Sequence, residues 1–131
     1  MELLIYTVLG LTLTWALYLA YMHIATRAAE GRSAAPLIER IPALGAADGR
    51  ALVYCFSPQC APCRPMSRDV DSLAASGAPV FKLDINDHPD LCHELGIRAT
   101  PTLILVEGGA IARMMIGVKT ANYMLALLAR G

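Results

Sequence analysis

An α/β domain built on a mixed sheet of about four strands flanked by helices, with one transmembrane helix ahead of it, is the architecture this sequence predicts. Three observations lead there. After Arg50 the hydrophobic spacing switches repeatedly between the two-residue period of a strand and the 3.6-residue period of a helix. The last two strand-like runs are separated by Glu107-Gly108-Gly109, a tight hairpin signal that adds an antiparallel pair to a strand-helix-strand order. The third is at the N-terminus, where the twenty-two residues from Leu3 to Ile24 contain no Asp, Glu, Lys or Arg.

Those residues, rising about 1.5 Å each, form a helix of roughly 33 Å, enough to cross a hydrocarbon core about 30 Å thick. Their strongly polar members are Thr7, Thr12, Thr14 and His23, and Trp15, Tyr18 and Tyr21 gather toward one end as interfacial aromatics do. A core helix this long without a polar face would need a larger protein around it. An interfacial helix would carry a charged face. A cleaved signal peptide, the remaining alternative, normally has a basic start and a shorter apolar stretch, whereas this one opens Met1-Glu2 and runs on. His23 is read as an interfacial residue. Arg27, Arg32 and Arg40 follow the helix and no Lys or Arg precedes it, which by the positive-inside rule favours a cytoplasmic domain, with the extracytoplasmic side as the alternative.

The chain is 131 residues long, 56% hydrophobic and 17% charged, with zero formal net charge. That length suits one domain behind the anchor, and the balanced charge gives no nucleic-acid footprint. Residues 26–35 shift to Ala, Gly, Ser and Arg, the composition of a solvated spacer. The expected division is an anchor over 1–25, a linker over 26–35 and a domain over 36–131.

Within the domain, Pro36 opens an apolar stretch of near-helical spacing that Pro42 interrupts, so one or two irregular turns are expected before a turn at Gly45 to Gly49. Arg50 to Phe56 reads as a buried strand. Pro62 to Ala75 reads as a helix with Met66, Val70, Leu73 and Ala74 facing inward. Val80 to Ile85 alternates as a strand, and Pro89 to Leu95 is a short helix stopped by Gly96. Strands over Thr102 to Val106 and Ala110 to Ile116 form the hairpin, and Thr120 caps a last helix carrying Tyr123, Met124, Leu127 and Leu128.

Cys60-Ala61-Pro62-Cys63 carries the chemistry. Two thiols with two residues between them can close into one small disulfide and reopen. At the start of a helix they face unpaired N–H groups and the positive end of the macrodipole, which favour thiolate without any cofactor. Pro62 suits a first turn because its missing N–H would be unpaired there anyway. Cys60, at the helix mouth, is the expected nucleophile. It attacks a partner disulfide and is released when Cys63, one turn inside, attacks in turn. Arg64 and Arg68 on the same helix either help hold negative charge or are solvated surface charges. A lone C-x-x-C is also half of a zinc site, and Cys92-His93 would have to complete it, although adjacent ligands on one helix diverge by about 100°. Cys55 and Cys92 otherwise read as small buried thiols, which lean toward a reducing compartment.

The run from Leu52 through the cysteine motif, Lys82-Leu83-Asp84-Ile85-Asn86, Leu95 to Leu103 with Ala99-Thr100-Pro101-Thr102 at its centre, Gly108-Gly109 and Gly117 together resemble thioredoxin over about residues 50 to 130. The resemblance implies a thioredoxin-like fold, a redox-active Cys60–Cys63 disulfide, and protein thiols or disulfides as partners beside a redox partner of unknown identity. It also implies a cis bond before Pro101 and a substrate groove shaped by Thr100 and Pro101, with Gln59, Ala61 and Pro62 at its rim.

The departures matter as much. Gln59 stands where the family has tryptophan, removing an aromatic surface. Tyr54 stands where the family keeps a buried aspartate beneath the pair, and an un-ionised phenol is a poor base. Lys82 matches the lysine that accompanies that aspartate, so Asp84 on the same strand face is the expected substitute partner. Arg68 replaces a mid-helix proline, implying a straighter helix. The family's first strand has no counterpart between Gly31 and Gly49, a trimming similar to that of anchored thioredoxin-like proteins of bacterial membranes. His88 and His93 read as surface or capping residues, and Met114-Met115 as one core and one exposed side chain.

The function expected is membrane-anchored thiol–disulfide exchange on protein partners, at the bacterial inner membrane. A metal-binding or metal-delivery module using the same cysteines and a non-catalytic interaction domain are the competing readings. Direction, as reductant, oxidant or isomerase, does not follow from the sequence.

Overall fold

The computed structural model describes residues 1–28, 30–47 and 49–129. Helix α1 spans Glu2–Arg27; every residue from Glu2 to Tyr21 is exposed, and Met22 and Ala25 near its end are half-buried. Thr7, Thr12 and Thr14 disturb nothing, because each hydroxyl donates back to a carbonyl of the preceding turn, Thr7 to Leu4, Thr12 to Leu9 and Thr14 to Gly10, at 2.8 to 2.9 Å. An apolar surface with internally satisfied polar groups is what a lipid environment requires.

Two short helices follow, α2 over Ala35–Arg40 and α3 over Pro42–Ala46, each opened by a proline in its first turn. Then come β1 (Arg50–Phe56), α4 (Cys63–Ala75), β2 (Val80–Asp84), α5 (Pro89–Leu95), β3 (Thr102–Glu107), β4 (Ala110–Ile116) and α6 (Ala121–Ala129). The sheet order is β2-β1-β3-β4, with β1 parallel to β2 and antiparallel to β3, and β3 antiparallel to β4. It is the expected mixed four-stranded sheet. Before β1 the described chain forms α2 and α3 rather than a strand against β2, so β2 stays at the sheet's edge.

Alternation along β1 divides the core in two. Leu52 and Tyr54 face α4 and α6 with Met66, Val70, Leu103, Met124 and Leu127, while Ala51, Val53 and Cys55 face Leu37, Leu44, Leu91, Leu95 and Ile104 on the other side. Full burial of one such aliphatic side chain contributes about 1.5–3 kcal/mol, so both faces are needed to hold a sheet this small. The inward stripe of α4 is Cys63, Met66, Val70 and Leu73; Ala74, expected with them, is exposed.

The β3–β4 hairpin turns on Gly108 and Gly109, whose φ values of 60° and 77° are those of a two-residue turn with both central residues left-handed. Gly109→Ala is therefore expected to lower stability by about 1–2 kcal/mol, read as a shift of the urea midpoint at unchanged slope. A register shift lies across Leu105/Val106, with Leu105 opposite Arg113 and Val106 opposite Ile111, so one extra β4 residue, Ala112, is accommodated. The bulge changes the phase of the alternation, bringing both Ile111 and Met114 to the β1-Val53 side while Met115 faces α6. Met114 and Met115 are both buried, at 5% and 7% exposure, instead of one being exposed, because both faces of β4 are covered.

Residues 26–35, expected as a solvated spacer, are instead partly docked. Gly31 N–H donates to Ile111 O (2.7 Å), Ile111 N–H to Arg32 O (2.8 Å) and Ala34 N–H to Gly109 O (2.8 Å), with an antiparallel bridge between Ser33 and Ala110. The outer edge of β4 presents unpaired backbone groups that composition cannot reveal, and this segment satisfies them.

Candidate functional site

The cysteine motif follows the C-terminal end of β1. Phe56 ends the strand, and a turn closed by Cys60 N–H to Ser57 O (3.0 Å) lifts the chain over the sheet into α4. Cys60 and Cys63 are joined by a disulfide, with their Cα atoms 5.3 Å apart. Helix α4 begins at Cys63 itself, with Pro62 as its N-cap, so Cys63 is the first helical residue and does not lie a full turn inside as the spacing suggested. Cys63 is 2% exposed against Met66 and Tyr54, whereas Cys60 is half-buried. Arg64 and Arg68 are exposed and line an open cleft of about 310 Å³ beside the pair, with Phe56, Ser57, Pro58 and Ser67.

Register brings the second loop to the same end of the sheet. Cys55 is opposite Thr102 and Thr102 is opposite Ile116, so the chain entering β3 and the chain leaving β4 both meet the end of β1 that carries the motif. There the Thr100–Pro101 bond is cis and Pro101 is buried. Pro101 O accepts from Gly117 N–H at 2.9 Å, and Thr102 Oγ1 donates to Ala99 O at 2.6 Å, so both sides of the proline are tied down.

Beneath the pair lies Tyr54, fully buried. Its ring stacks on Phe56 with centroids 5.5 Å apart. Its hydroxyl donates to Cys63 O at 2.9 Å and sits 2.8 Å from Ser67 Oγ. A carbonyl only accepts, so the one phenolic proton goes to Cys63 O and Ser67 is the donor of the second bond. Burial raises the Tyr54 pKa, Ser67 lowers it in part, and the nearby Asp71 and Cys55 add to the rise. Tyr54 is thus a neutral prop under the first turn of α4.

Lys82 does not pair with Asp84. Its Nζ lies 3.2 Å from Asp71 on α4 and 4.7 Å from the Phe56 ring centroid, while Asp84 Oδ1 accepts from Asn86 N–H at 2.9 Å. Residues two apart on a strand share a face, but α4 packed across β2 offers a nearer carboxylate. Three site-building residues escaped the sequence reading. Ser67 and Asp71 follow Cys63 at successive four-residue steps, the spacing that places residues on one helix face. Ser57 is the third. It donates to Gln59 Oε1 at 2.8 Å, which also accepts from Asn86 Nδ2 at 3.0 Å, so the rim residue is held by its carbonyl end.

Cys55 and Cys92 are buried on the opposite face of the sheet from Cys63. Burial raises both thiol pKa values, and the charges of Cys92 and Asp84 respectively reinforce it. Cys92 would reach the motif only through the sheet, so it does not complete a ligand set with Cys60 and Cys63. Among the described residues no group of three or more His, Cys, Asp or Glu converges. His88 stands at the N-cap position of α5 without a capping bond from its side chain, and His93 is exposed.

Comparison with known proteins agrees with this architecture. The Thioredoxin family model matches residues 41–130. Thioredoxin of Chlamydia caviae is 31% identical over 84 residues, covering 63% of this chain and 82% of its own length; thioredoxin of Porphyra purpurea is 38% identical over 69 residues, covering 50% and 64%. Among solved structures, a thioredoxin variant from Halobacterium salinarum superimposes with a TM-score of 0.60 at 24% identity, covering 67% of this chain and 79% of its own, which bears on the fold. Thioredoxin of Malassezia sympodialis does so at 0.56 and 19%, covering 68% and 81%. With a cysteine pair closed at the head of α4 and a family match spanning nearly all of the chain beyond α1, this protein belongs to the thioredoxin family and is a thiol–disulfide oxidoreductase.

Proposed function

We propose that the chain is a membrane-anchored exchanger of protein disulfides, with residues 1–25 as anchor, 26–35 as the connection and 36–131 as the catalytic domain, held on the cytoplasmic side of a bacterial inner membrane. The unequal exposure of the two cysteines carries the assignment of roles: Cys60 is half-buried and Cys63 2% exposed. In the reduced protein Cys60 thiolate attacks a partner disulfide, whose S–S bond breaks and whose leaving sulfur takes up a proton. Cys63 thiolate then attacks Cys60 Sγ in the mixed disulfide. The partner's second sulfur leaves, the partner has gained two electrons, and Cys60–Cys63 is oxidised; the reverse sequence oxidises a dithiol.

The helix dipole and the exposed Arg64 and Arg68 favour thiolate at the head of α4. Thr100 and Pro101, with Gln59, Ala61 and Pro62 at the rim, form the groove for an extended partner segment. Tyr54 and Lys82 support the pair from below, with Asp84 stabilising the loop after β2. Anchoring is supported by the uncovered apolar face of α1, and sidedness by Arg27, Arg32 and Arg40 after it. The test is turnover of a disulfide-bonded reporter protein by the reduced full chain. Wild type is expected to reduce it, and Cys60→Ser to fall to the uncatalysed background. Undiminished turnover by Cys60→Ser, or stoichiometric zinc that shields both motif cysteines from alkylation, would overturn the exchange reading.

A further inference from the structure

The last turns of α1 do not stand clear of the domain. They run beside β4 and the loop into α6, and between them lies an open cleft of about 740 Å³. Leu19 and Met22 from the helix and Ile116 from β4 give it an apolar wall, while Arg27, Arg113 and Lys119 bring three cations to it. The ion pairs among the described residues are Arg50–Glu107 and Lys82–Asp71, so none of these three cations is neutralised by one. Lys119 Nζ rests 5.5 Å from the centroid of Tyr123, which leaves its charge in place. Among the described residues Glu30 is the one carboxylate at the cleft, against three cations. The domain is tied to the helix nearby by Arg98, whose Nη1 donates to Tyr21 Oη at 3.2 Å with the guanidinium 5.7 Å from the ring centroid.

A site that sets cations beside apolar side chains, both from the helix and from the domain, fits an amphiphile with a negative head. Guanidinium groups match the oxygens of a phosphodiester in paired hydrogen bonds, and an ammonium adds a point charge. Position agrees with chemistry. A hydrocarbon core about 30 Å thick takes up about 20 residues of helix, so a span beginning near Leu3 emerges near Met22, at the level of the cleft and of the Tyr18 and Tyr21 pair.

We propose that this cleft binds the phosphate headgroup of an anionic phospholipid, with an acyl chain lying along Leu19 and Met22; this rests on the anchored reading above. Arg113 and Lys119 hold the phosphate from the domain side and Arg27 from the helix side. The consequence reaches the redox site through one bond. Gly117, between Ile116 and Lys119, donates to Pro101 O. A lipid seated in the cleft therefore holds the end of β4 that anchors the Pro101 loop, and keeps the partner groove at the bilayer surface.

The test uses the full chain in neutral detergent, with thermal midpoints measured against dioctanoyl phosphatidylglycerol, dioctanoyl phosphatidylcholine and inorganic phosphate. Phosphatidylglycerol at about ten times its dissociation constant is expected to raise the midpoint by about 5 °C, and the other two to leave it unchanged. The Arg113→Gln/Lys119→Gln double variant, with wild-type exchange activity as its folding control, is expected to lose the shift. An equal shift with phosphatidylcholine, a shift with inorganic phosphate alone, no shift with any of the three, or a shift that survives in the double variant overturns the proposal. Alkaline washing of membranes tests the anchor separately. Retention without a selective shift removes the cleft and keeps the anchor, whereas release together with a selective shift removes the anchor and keeps the cleft.

Discussion

Cys63→Ser is expected to stop exchange halfway, leaving Cys60 in a stable mixed disulfide with its natural partner. The reason is geometric. Cys60 is the half-buried cysteine and meets an incoming disulfide, while Cys63, in the first turn of α4 and 2% exposed, meets only the mixed disulfide already formed on its neighbour. Removing the second nucleophile leaves the first step intact and the release step without an attacker. Non-reducing gels of cells expressing the variant should show an adduct that dithiothreitol dissolves, and Cys60→Ser should show none. The opposite pattern would exchange the two roles. Mass identification of the adduct would name the partner and, from its location, the compartment in which the domain works.

Tyr54→Ala should be among the most destabilising single substitutions in the domain, at about 3–5 kcal/mol, by analogy with large aromatic-to-alanine changes in cores. The ring is fully buried and stacks on Phe56, and its hydroxyl holds Cys63 O and Ser67. Tyr54→Phe keeps the ring and loses the two hydrogen bonds, so a cost of about 1 kcal/mol is expected, with urea unfolding as the measurement for both. The two variants thus separate packing from polarity. The phenol also has a pH signature. Its folded pKa is raised above the ordinary 10.0, so the folded state retains a proton that the unfolded chain gives up. That contribution is fully present below about pH 10 and is lost as pH rises toward the folded value. Tyr54→Phe should unfold with less loss of stability on going to alkaline pH. Because Tyr54 stays protonated at neutral pH, Tyr54→Phe is expected to keep the wild-type shape of the exchange pH profile there. A new inflection would show that the phenol handles a proton after all.

The elements of this domain were legible because each is encoded in a short stretch. The alternation from Arg50 to Phe56, the inward spacing of Met66, Val70 and Leu73, the proline opening α5 with Gly96 closing it, and the paired glycines at 108 and 109 all act within a few residues. The cysteine pair was legible for the same reason. Apart from the start of α4 at Cys63 and the exposed Ala74, what the sequence misread depended on a neighbour on another element. Lys82 takes Asp71 because α4 crosses β2. Met114 and Met115 are both buried because a bulge and two covered faces act together on β4. Residues 31–34 look like a spacer and still find the β4 edge.

By itself, then, the sequence determined the order of helices and strands, the apolar helix at its head, and a dithiol poised at a helix start, since periodicity, proline and glycine act through the local backbone. Only the tertiary structure decided which cysteine is covered, that a tyrosine props the motif where an acid was missing, and that three cations meet beside α1. The first two depend on how α4 packs over β1 and the last joins segments tens of residues apart; in each case the partner is chosen by strand register and helix packing, which no short stretch of sequence contains.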